Sequence, residues 1–142
     1  MLRRIAALVC VGALATGTAA AQTKKAGPKT VMHDITVTAD TVYTGTMEIA
    51  VNAGKVTGDM LITSPMEITG KVAGTSKAGV LTLEFPFTIV QEGCTGMVTM
   101  NIKLGAKRGH GAGTMEAVGC GSDEEKVTGT VELKPPAPKP SK

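Results

Sequence analysis

The sequence predicts an all-β protein, an eight-stranded antiparallel up-and-down meander that forms a small closed or nearly closed barrel. Between residues 31 and 134, apolar and polar side chains alternate with a period of two, and no amphipathic helical stripe interrupts the alternation. Turn sequences rich in Gly, Asn, Asp, Ser and Pro divide this region into eight runs. A flattened β-sandwich built from the same strands is the alternative architecture.

The lengths of the connections determine how neighbouring strands run. The predicted strands cover residues 31–38, 42–51, 55–63, 67–75, 80–91, 94–104, 111–120 and 126–134. Each connection has two to six residues, whereas a parallel crossover needs about a dozen or more. Consecutive strands are therefore expected to form antiparallel hairpins. Within the fifth strand, Pro86 predicts a bulge or bend because its nitrogen cannot donate a hydrogen bond.

A four-residue phrase, Thr-Gly-x-Met/Val, recurs in six of the predicted strands, with Ala in place of Thr in one copy. The copies begin at Thr44, Thr57, Thr69, Thr95, Ala112 and Thr128. The alternation of a strand places each Thr on the outer face and each Gly and Met or Val on the inner face. Because glycine permits the strong local bend of a barrel corner, the phrase indicates how the strands are built rather than what they bind.

The predicted inner face can be followed from strand to strand through the turns. The predicted register pairs Met47 with Met60, and Met60 with Gly70. It then pairs Gly70 with Phe85, and Phe85 with Met100. The same face stays inward at every turn, which a one-residue error would prevent because such an error reverses the two faces.

The ends of the chain differ in composition from the β region. Arg3 and Arg4 precede an apolar run from Ile5 to Leu14, and small residues follow at 19–21, as in a signal peptide. The protein is therefore expected to be exported, to the periplasm or otherwise into the medium. The predicted parts are the signal peptide (1–21), a flexible lead-in (22–30), a single β domain (31–134) and a disordered Pro/Lys-rich tail (135–142).

Export also determines the expected state of the cysteines. After the signal peptide the chain contains Cys94 and Cys120, and an oxidising compartment favours a disulfide between them. This bond would join the sixth and seventh strands. Placing the two cysteines directly opposite each other conflicts with pairing Met115 and Val131 on the last hairpin. A one-residue bulge near Gly119 is therefore predicted.

Charge and surface polarity argue against several kinds of partner. The formal net charge of +3 falls to +1 without Arg3 and Arg4, so no nucleic-acid partner is expected. The predicted outer face is rich in Thr and charged residues, whereas a membrane barrel needs an apolar outer band. No transmembrane insertion is therefore expected. The sequence indicates no particular oligomeric state.

No motif in the sequence indicates catalysis. It contains neither Gly-x-Ser-x-Gly nor His-Glu-x-x-His, and we expect no enzymatic activity, no catalytic residue and no cofactor. His33 would face inward near Met47 and Met60, a set that can hold Cu(I). Methionine on an inner face more often fills gaps in a core with few aromatic residues, so no metal site is predicted.

Two functions are compatible with a small exported barrel. In the first, the protein is a binding module for a small apolar ligand such as an acyl chain, held in room left by the inner glycines. In the second, the core is fully packed and the protein has a structural or interaction role in the cell envelope, with an envelope protein as partner. The residues predicted to line a ligand site are Tyr43, Gly45, Met47, Gly58, Met60, Gly70, Phe85, Phe87, Met100 and Met115.

Overall fold

The structure, a computed structural model, is an all-β barrel of eight antiparallel strands. It describes residues 29–89, 91–120 and 126–141; the predicted signal peptide and residues 22–28 of the lead-in lie outside the described residues. The strands are β1 (Thr30–Thr38), β2 (Val42–Asn52), β3 (Lys55–Ser64), β4 (Ile68–Lys77), β5 (Val80–Ile89), β6 (Cys94–Leu104), β7 (Gly111–Gly119) and β8 (Lys126–Lys134). Within the described ranges, no helix is long and apolar enough to cross a membrane.

Pairing of the first strand with the last closes the sheet. β1 pairs with β8 from Asp34 opposite Lys134 to Thr38 opposite Thr130. The remaining pairs join chain neighbours, in the order β1 to β8. The predicted eight-stranded closed meander is confirmed, and the alternative of a flattened sandwich is not the architecture formed.

The first three hairpins have the predicted register. His33 lies opposite Met47, Met47 opposite Met60, and Met60 opposite Gly70. In the β2–β3 hairpin, the two turn residues Ala53 and Gly54 have φ values of 50° and 80°. Both are left-handed, the conformation whose twist matches that of the flanking strands in a two-residue hairpin.

The β4–β5 ladder differs from the predicted register by two residues. Gly70 was expected opposite Phe85, but the structure pairs Gly74 with Leu83. The reason is a two-residue turn, Ala78–Gly79, with φ values of 51° and 77°, where the sequence suggested a four-residue turn. Because the shift is an even number of residues, the same side chains still face inward.

The β5–β6 ladder is also shifted by two residues. Met100 lies opposite Leu83 and not opposite Phe85, because the connection runs over four residues between Ile89 and Cys94. The amide of Glu92 in this connection donates to the carbonyl oxygen of Ile89 at 3.2 Å. The predicted two-residue turn was too short.

The ladders beside the cysteines are more regular than predicted. β6 and β7 pair without a register shift up to Gly96 opposite Gly119, so the predicted bulge near Gly119 is wrong. Instead, the chain turns at the strand end, where Gly119 and Cys120 have φ values of 138° and 64°. On the last hairpin, Met115 pairs with Gly129, two residues from the predicted Val131.

Pro86 interrupts the hydrogen-bonded ladder on only one side of β5. It pairs with Met97 in an uninterrupted β5–β6 ladder. On the other side, the β4–β5 ladder among the described residues ends at Ala73 opposite Glu84, before Pro86 is reached. The missing N–H thus ends one ladder, in place of the predicted bulge.

The connections define two ends of the barrel. We call the end with the β1–β2, β3–β4, β5–β6 and β7–β8 connections the open end, and the other the closed end. Toward the closed end the interior is filled by fully buried Val56, Leu81, Ile102 and Leu133. Near the open end, several apolar side chains are only half-buried, among them Tyr43, Ile68, Phe87, Val98 and Ala117. The core is therefore densely packed at one end alone.

Candidate functional site

A cavity of about 370 Å³ occupies the open half of the barrel. Its floor consists of four buried side chains, Met60, Phe85, Met100 and Met115. All eight strands contribute to its lining, because the inward positions of each strand nearest the open end converge on the barrel axis. The cavity is thus a product of the barrel as a whole and not of one loop.

The cavity exists because side chains become smaller along β6 and β7 toward the open end. On β6, Val98 follows Met100 as the next inward residue in this direction. On β7, Ala117 and then Gly119 follow Met115. All five of these residues line the cavity. The next inward residue of β6, Gly96, does not, because the ring of Phe87 covers its backbone. Small wall residues above large floor residues leave a space that opens outward.

The structure places six of the ten predicted lining residues around this cavity and four elsewhere. Those at the cavity are Tyr43, Met60, Phe85, Phe87, Met100 and Met115. Those outside its lining are Gly45, Met47, Gly58 and Gly70. Met47 is completely buried in the packed core. A Cβ atom at any of the three glycines would collide with a neighbouring strand or ring, so the expectation that these glycines leave room is wrong.

Two carboxylates at the rim, Asp40 and Glu92, were not predicted as site residues. They lie in the β1–β2 and β5–β6 connections and line the cavity together with Tyr43. A sequence signal for them does exist. In an up-and-down barrel, alternate connections share one end, so the charges of alternate turns can be assigned to the end where Tyr43 lies.

The rim affects the ionisation of Tyr43. Burial raises the pKa of its phenol above the usual value, and the negative charges of Asp40 and Glu92 raise it further. A hydrogen bond with the side chain of Thr41 acts in the opposite direction with a smaller effect. The hydroxyl of Tyr43 is therefore protonated at neutral pH and can donate a hydrogen bond at the cavity entrance.

A disulfide between Cys94 and Cys120 ties β6 to the end of β7 at the rim, with the two Cα atoms 4.9 Å apart. Cys120 lines the cavity, and its amide donates to the carbonyl oxygen of Thr95 at 3.3 Å. The disulfide fixes a part of the rim that lies beyond the last pair of the β6–β7 ladder, Gly96 opposite Gly119. A disulfide-linked barrel is compatible with an exported protein.

His33 lies away from the cavity, in the packed part of the barrel. It is 5% exposed, and its Nδ1 lies 3.1 Å from the carbonyl oxygen of Gly109. With the proton on Nδ1, the ring donates to this carbonyl and ties the β6–β7 connection to β1. Among the described residues, no group of three or more His, Cys, Asp or Glu side chains could hold a metal ion.

Comparison of the chain with models of protein families, with curated proteins and with solved structures found no match. The interpretation of the cavity therefore depends on its own chemistry. Its interior is apolar, and its charged and hydroxyl groups, on Asp40, Tyr43 and Glu92, lie together at the entrance. This arrangement can take up an apolar molecule and contact one polar end of it.

Proposed function

We propose that the protein is an exported binding module, in the periplasm or secreted, that holds a small apolar ligand in the open half of the barrel. The observation that carries the proposal is the cavity of about 370 Å³ with its apolar floor and wall. Ligand sites are typically pockets of about 300–1,000 Å³ with mostly apolar linings and a few convergent polar groups. The cavity has the size for a small ligand and the composition of such a site.

The charged groups at the entrance restrict which polar end a ligand can have. A free fatty acid would place its carboxylate beside Asp40 and Glu92, and like charges in a partly dry site repel one another. A neutral or cationic end does not meet this repulsion. The protonated hydroxyl of Tyr43 can donate to a carbonyl or hydroxyl oxygen there. The ligand class that fits is an alkyl or acyl chain that ends in an alcohol, ester, amide or amine.

Ligand binding in the cavity can be tested by following the fluorescence of Tyr43. It is the only tyrosine, the chain contains no tryptophan, and its ring lines the cavity, so its fluorescence reports on this site alone. We expect saturable changes on titration with a medium-chain alcohol or alkylamine, and weaker binding of the fatty acid of equal length. Native mass spectrometry of protein from its own envelope should show a bound mass of lipid size. A ligand-free mass together with flat titrations would refute the proposal.

The second function, a structural or interaction role in the envelope, has support from a different part of the molecule. The half of the barrel near the closed end is filled by its own side chains, including Leu81, Ile102 and Leu133. That half therefore offers its outer surface, and not its interior, for contact with another component.

A further inference from the structure

Positive charge collects at the closed end of the barrel. Six exposed cationic side chains lie there: Lys29, Lys55, Lys77, Lys103, Lys107 and Arg108. They come from the start of β1, the β2–β3 and β4–β5 hairpins, the end of β6 and the β6–β7 connection. The ion pairs found among the described residues involve other lysines, Lys71, Lys126 and Lys134. None of the six is thus neutralised by a carboxylate that the structure describes.

The acidic side chains of the connections lie at the other end. Asp40, Glu67 and Glu92 are in the connections of the open end. The described turns of the closed end, 53–54, 78–79 and 105–110, contain no Asp or Glu. The barrel is therefore polarised along its axis, which a net charge of +3 for the whole chain does not reveal.

Exposed aliphatic side chains accompany the cations. Five large apolar residues at the closed end are 38–46% exposed: Val31, Met32, Val51, Val80 and Leu104. Val31, Val51 and Leu104 continue the inward face of their strands beyond the last filled layer. They therefore emerge at the end of the barrel, among the lysines.

Hydrogen bonds hold this end in one shape. The amide of Ser76 donates to the carbonyl oxygen of Gly54 at 2.8 Å, which joins the two hairpins. The amide of Leu104 donates to the carbonyl oxygen of Gly79 at 2.8 Å, which joins the second hairpin to β6. The backbone that carries the cations and the aliphatic side chains is thus preformed, and contact orders only the side chains themselves.

We propose that the closed end docks on the surface of an anionic phospholipid bilayer, with the cavity facing away from the membrane. Lysine ammonium groups bind lipid phosphates, and short aliphatic side chains such as Val51 and Leu104 can enter the headgroup region beside them. The open end, with Asp40, Glu67 and Glu92, is repelled by the same surface. This inference does not depend on whether the cavity holds a ligand.

The partner is a bilayer rather than a nucleic acid because of the apolar component. Single-stranded nucleic acids are held by aromatic stacking as well as by charge, and duplexes by polar contacts to phosphates and base edges. The exposed apolar residues of the closed end are Val, Met and Leu, without an aromatic ring among those described. Aliphatic side chains surrounded by lysine are instead typical of surfaces that lie on membranes.

The test uses the chain from Gln22 onward and matched charge variants. Binding to phosphatidylcholine vesicles with and without phosphatidylglycerol is measured by co-sedimentation for the parent, Lys55→Gln/Lys77→Gln and Lys71→Gln/Lys126→Gln. Both double variants lose two positive charges, but only the first loses them at the closed end. We expect the first to bind anionic vesicles roughly thirtyfold more weakly, the second to bind like the parent, and salt to weaken all three.

Several results would overturn the proposal. These are equal losses in the two double variants, equal binding to neutral vesicles, no binding of the parent, or equally tight binding to duplex DNA. The orientation has its own readout, because Tyr43 lies at the opposite end. Quenching of Tyr43 by acrylamide should be the same for the free and the vesicle-bound protein. Protection of Tyr43 on vesicles, in the absence of any added ligand, would show that the open end faces the membrane.

Discussion

The ring of Phe85 lies directly over the backbone of Gly70. A Cβ atom at Gly70 would be 2.6 Å from Cε2 of Phe85 and 2.5 Å from the carbonyl oxygen of Pro86. Phe87 has the same relationship with Gly96, where a Cβ atom would be 2.5 Å from its Cζ. The two phenylalanines of this chain thus occupy the space of missing side chains on the neighbouring strands.

Gly70→Ala should destabilise the protein by about 1–3 kcal/mol, because either the ring or the strand must move to admit the methyl group. Chemical denaturation measures the free energy of unfolding. Gly105→Ala is the matched control, since a Cβ atom there would lie 3.5 Å from the nearest atom, an ordinary contact. The control should change stability by less than about 0.5 kcal/mol. Equal effects of the two substitutions would contradict the contact between Phe85 and Gly70.

Ala117→Leu should weaken ligand binding without loss of the fold, because the larger side chain enters the cavity from β7. Ala112→Leu adds the same atoms on the same strand at an exposed outward position and serves as the control. We expect at least tenfold weaker binding of an alkyl alcohol to the first variant, from a loss of about 1.4 kcal/mol or more. Similar affinities of the two variants would place the ligand outside the cavity.

The phenol of Tyr43 should titrate above the usual range, and Asp40→Asn should lower its pKa, because one of the two like charges is removed. Burial is the larger cause, so the pKa should stay above that of a free tyrosine. Tyrosinate absorbance measures a single group, since the chain has one tyrosine. Glu84→Gln, on the barrel wall, is the control and should leave the titration unchanged.

The same shift affects stability at alkaline pH. Tyr43 has a higher pKa in the folded than in the unfolded protein, so the unfolded chain releases this proton first. The contribution of Tyr43 to the free energy of unfolding is fully present below the pKa of the unfolded chain, about 10. It is lost as the pH rises through the pKa of Tyr43 in the folded protein. Denaturation midpoints should therefore fall over this window, and less so in Asp40→Asn. A smaller fall in Tyr43→Phe would identify the group responsible.

Cys94→Ser/Cys120→Ser should lower the free energy of unfolding by about 3.5 kcal/mol, the loop-closure value for the 26-residue separation of the two cysteines. Alkylation of the denatured, unreduced protein followed by mass spectrometry checks the bond itself. Two alkylated thiols in protein from its natural compartment would contradict the pairing. The fluorescence of Tyr43 should report altered ligand binding in the variant, because Cys120 belongs to the cavity lining.

The strands could be predicted from the sequence because their signals are local. Period-two alternation and Gly-containing turns define β6 (Cys94–Leu104) and β8 (Lys126–Lys134) within the residues themselves. The inward face was also predictable, since an even shift leaves it unchanged. The register of β4 against β5 was not predicted, because the turn was assigned to residues 76–79 whereas the chain turns over Ala78–Gly79 alone. Ala78 and Gly79 adopt the same left-handed conformations as Ala53 and Gly54, so the Ala-Gly pair of the β2–β3 hairpin was a sequence signal for this turn as well.

The candidate site was only partly predictable, for a different reason. Tyr43, Met60 and Met115 follow from the face on which they lie, but the cavity depends on how volumes balance between opposite walls. The decrease in side-chain size from Met115 to Ala117 can be recognised as a widening of the interior only after each strand end has been assigned to one end of the barrel. Net charge likewise conceals the separation of Asp40 from Lys55, which depends on which turns share an end.

The early end of the β4–β5 ladder has a consequence for amide hydrogen exchange. Beyond Ala73 and Glu84, the described parts of the two strands lie side by side without further ladder pairs, next to Phe85 on the cavity floor. Local opening is easiest where the fewest backbone hydrogen bonds must break. Ile68–Val72 remains paired with β3, so the amides of this segment that point toward β5 should exchange faster than those that point toward β3. Pro86 thus leaves the packing of Phe85 on Gly70, rather than ladder hydrogen bonds, to hold β4 against β5 beside the cavity.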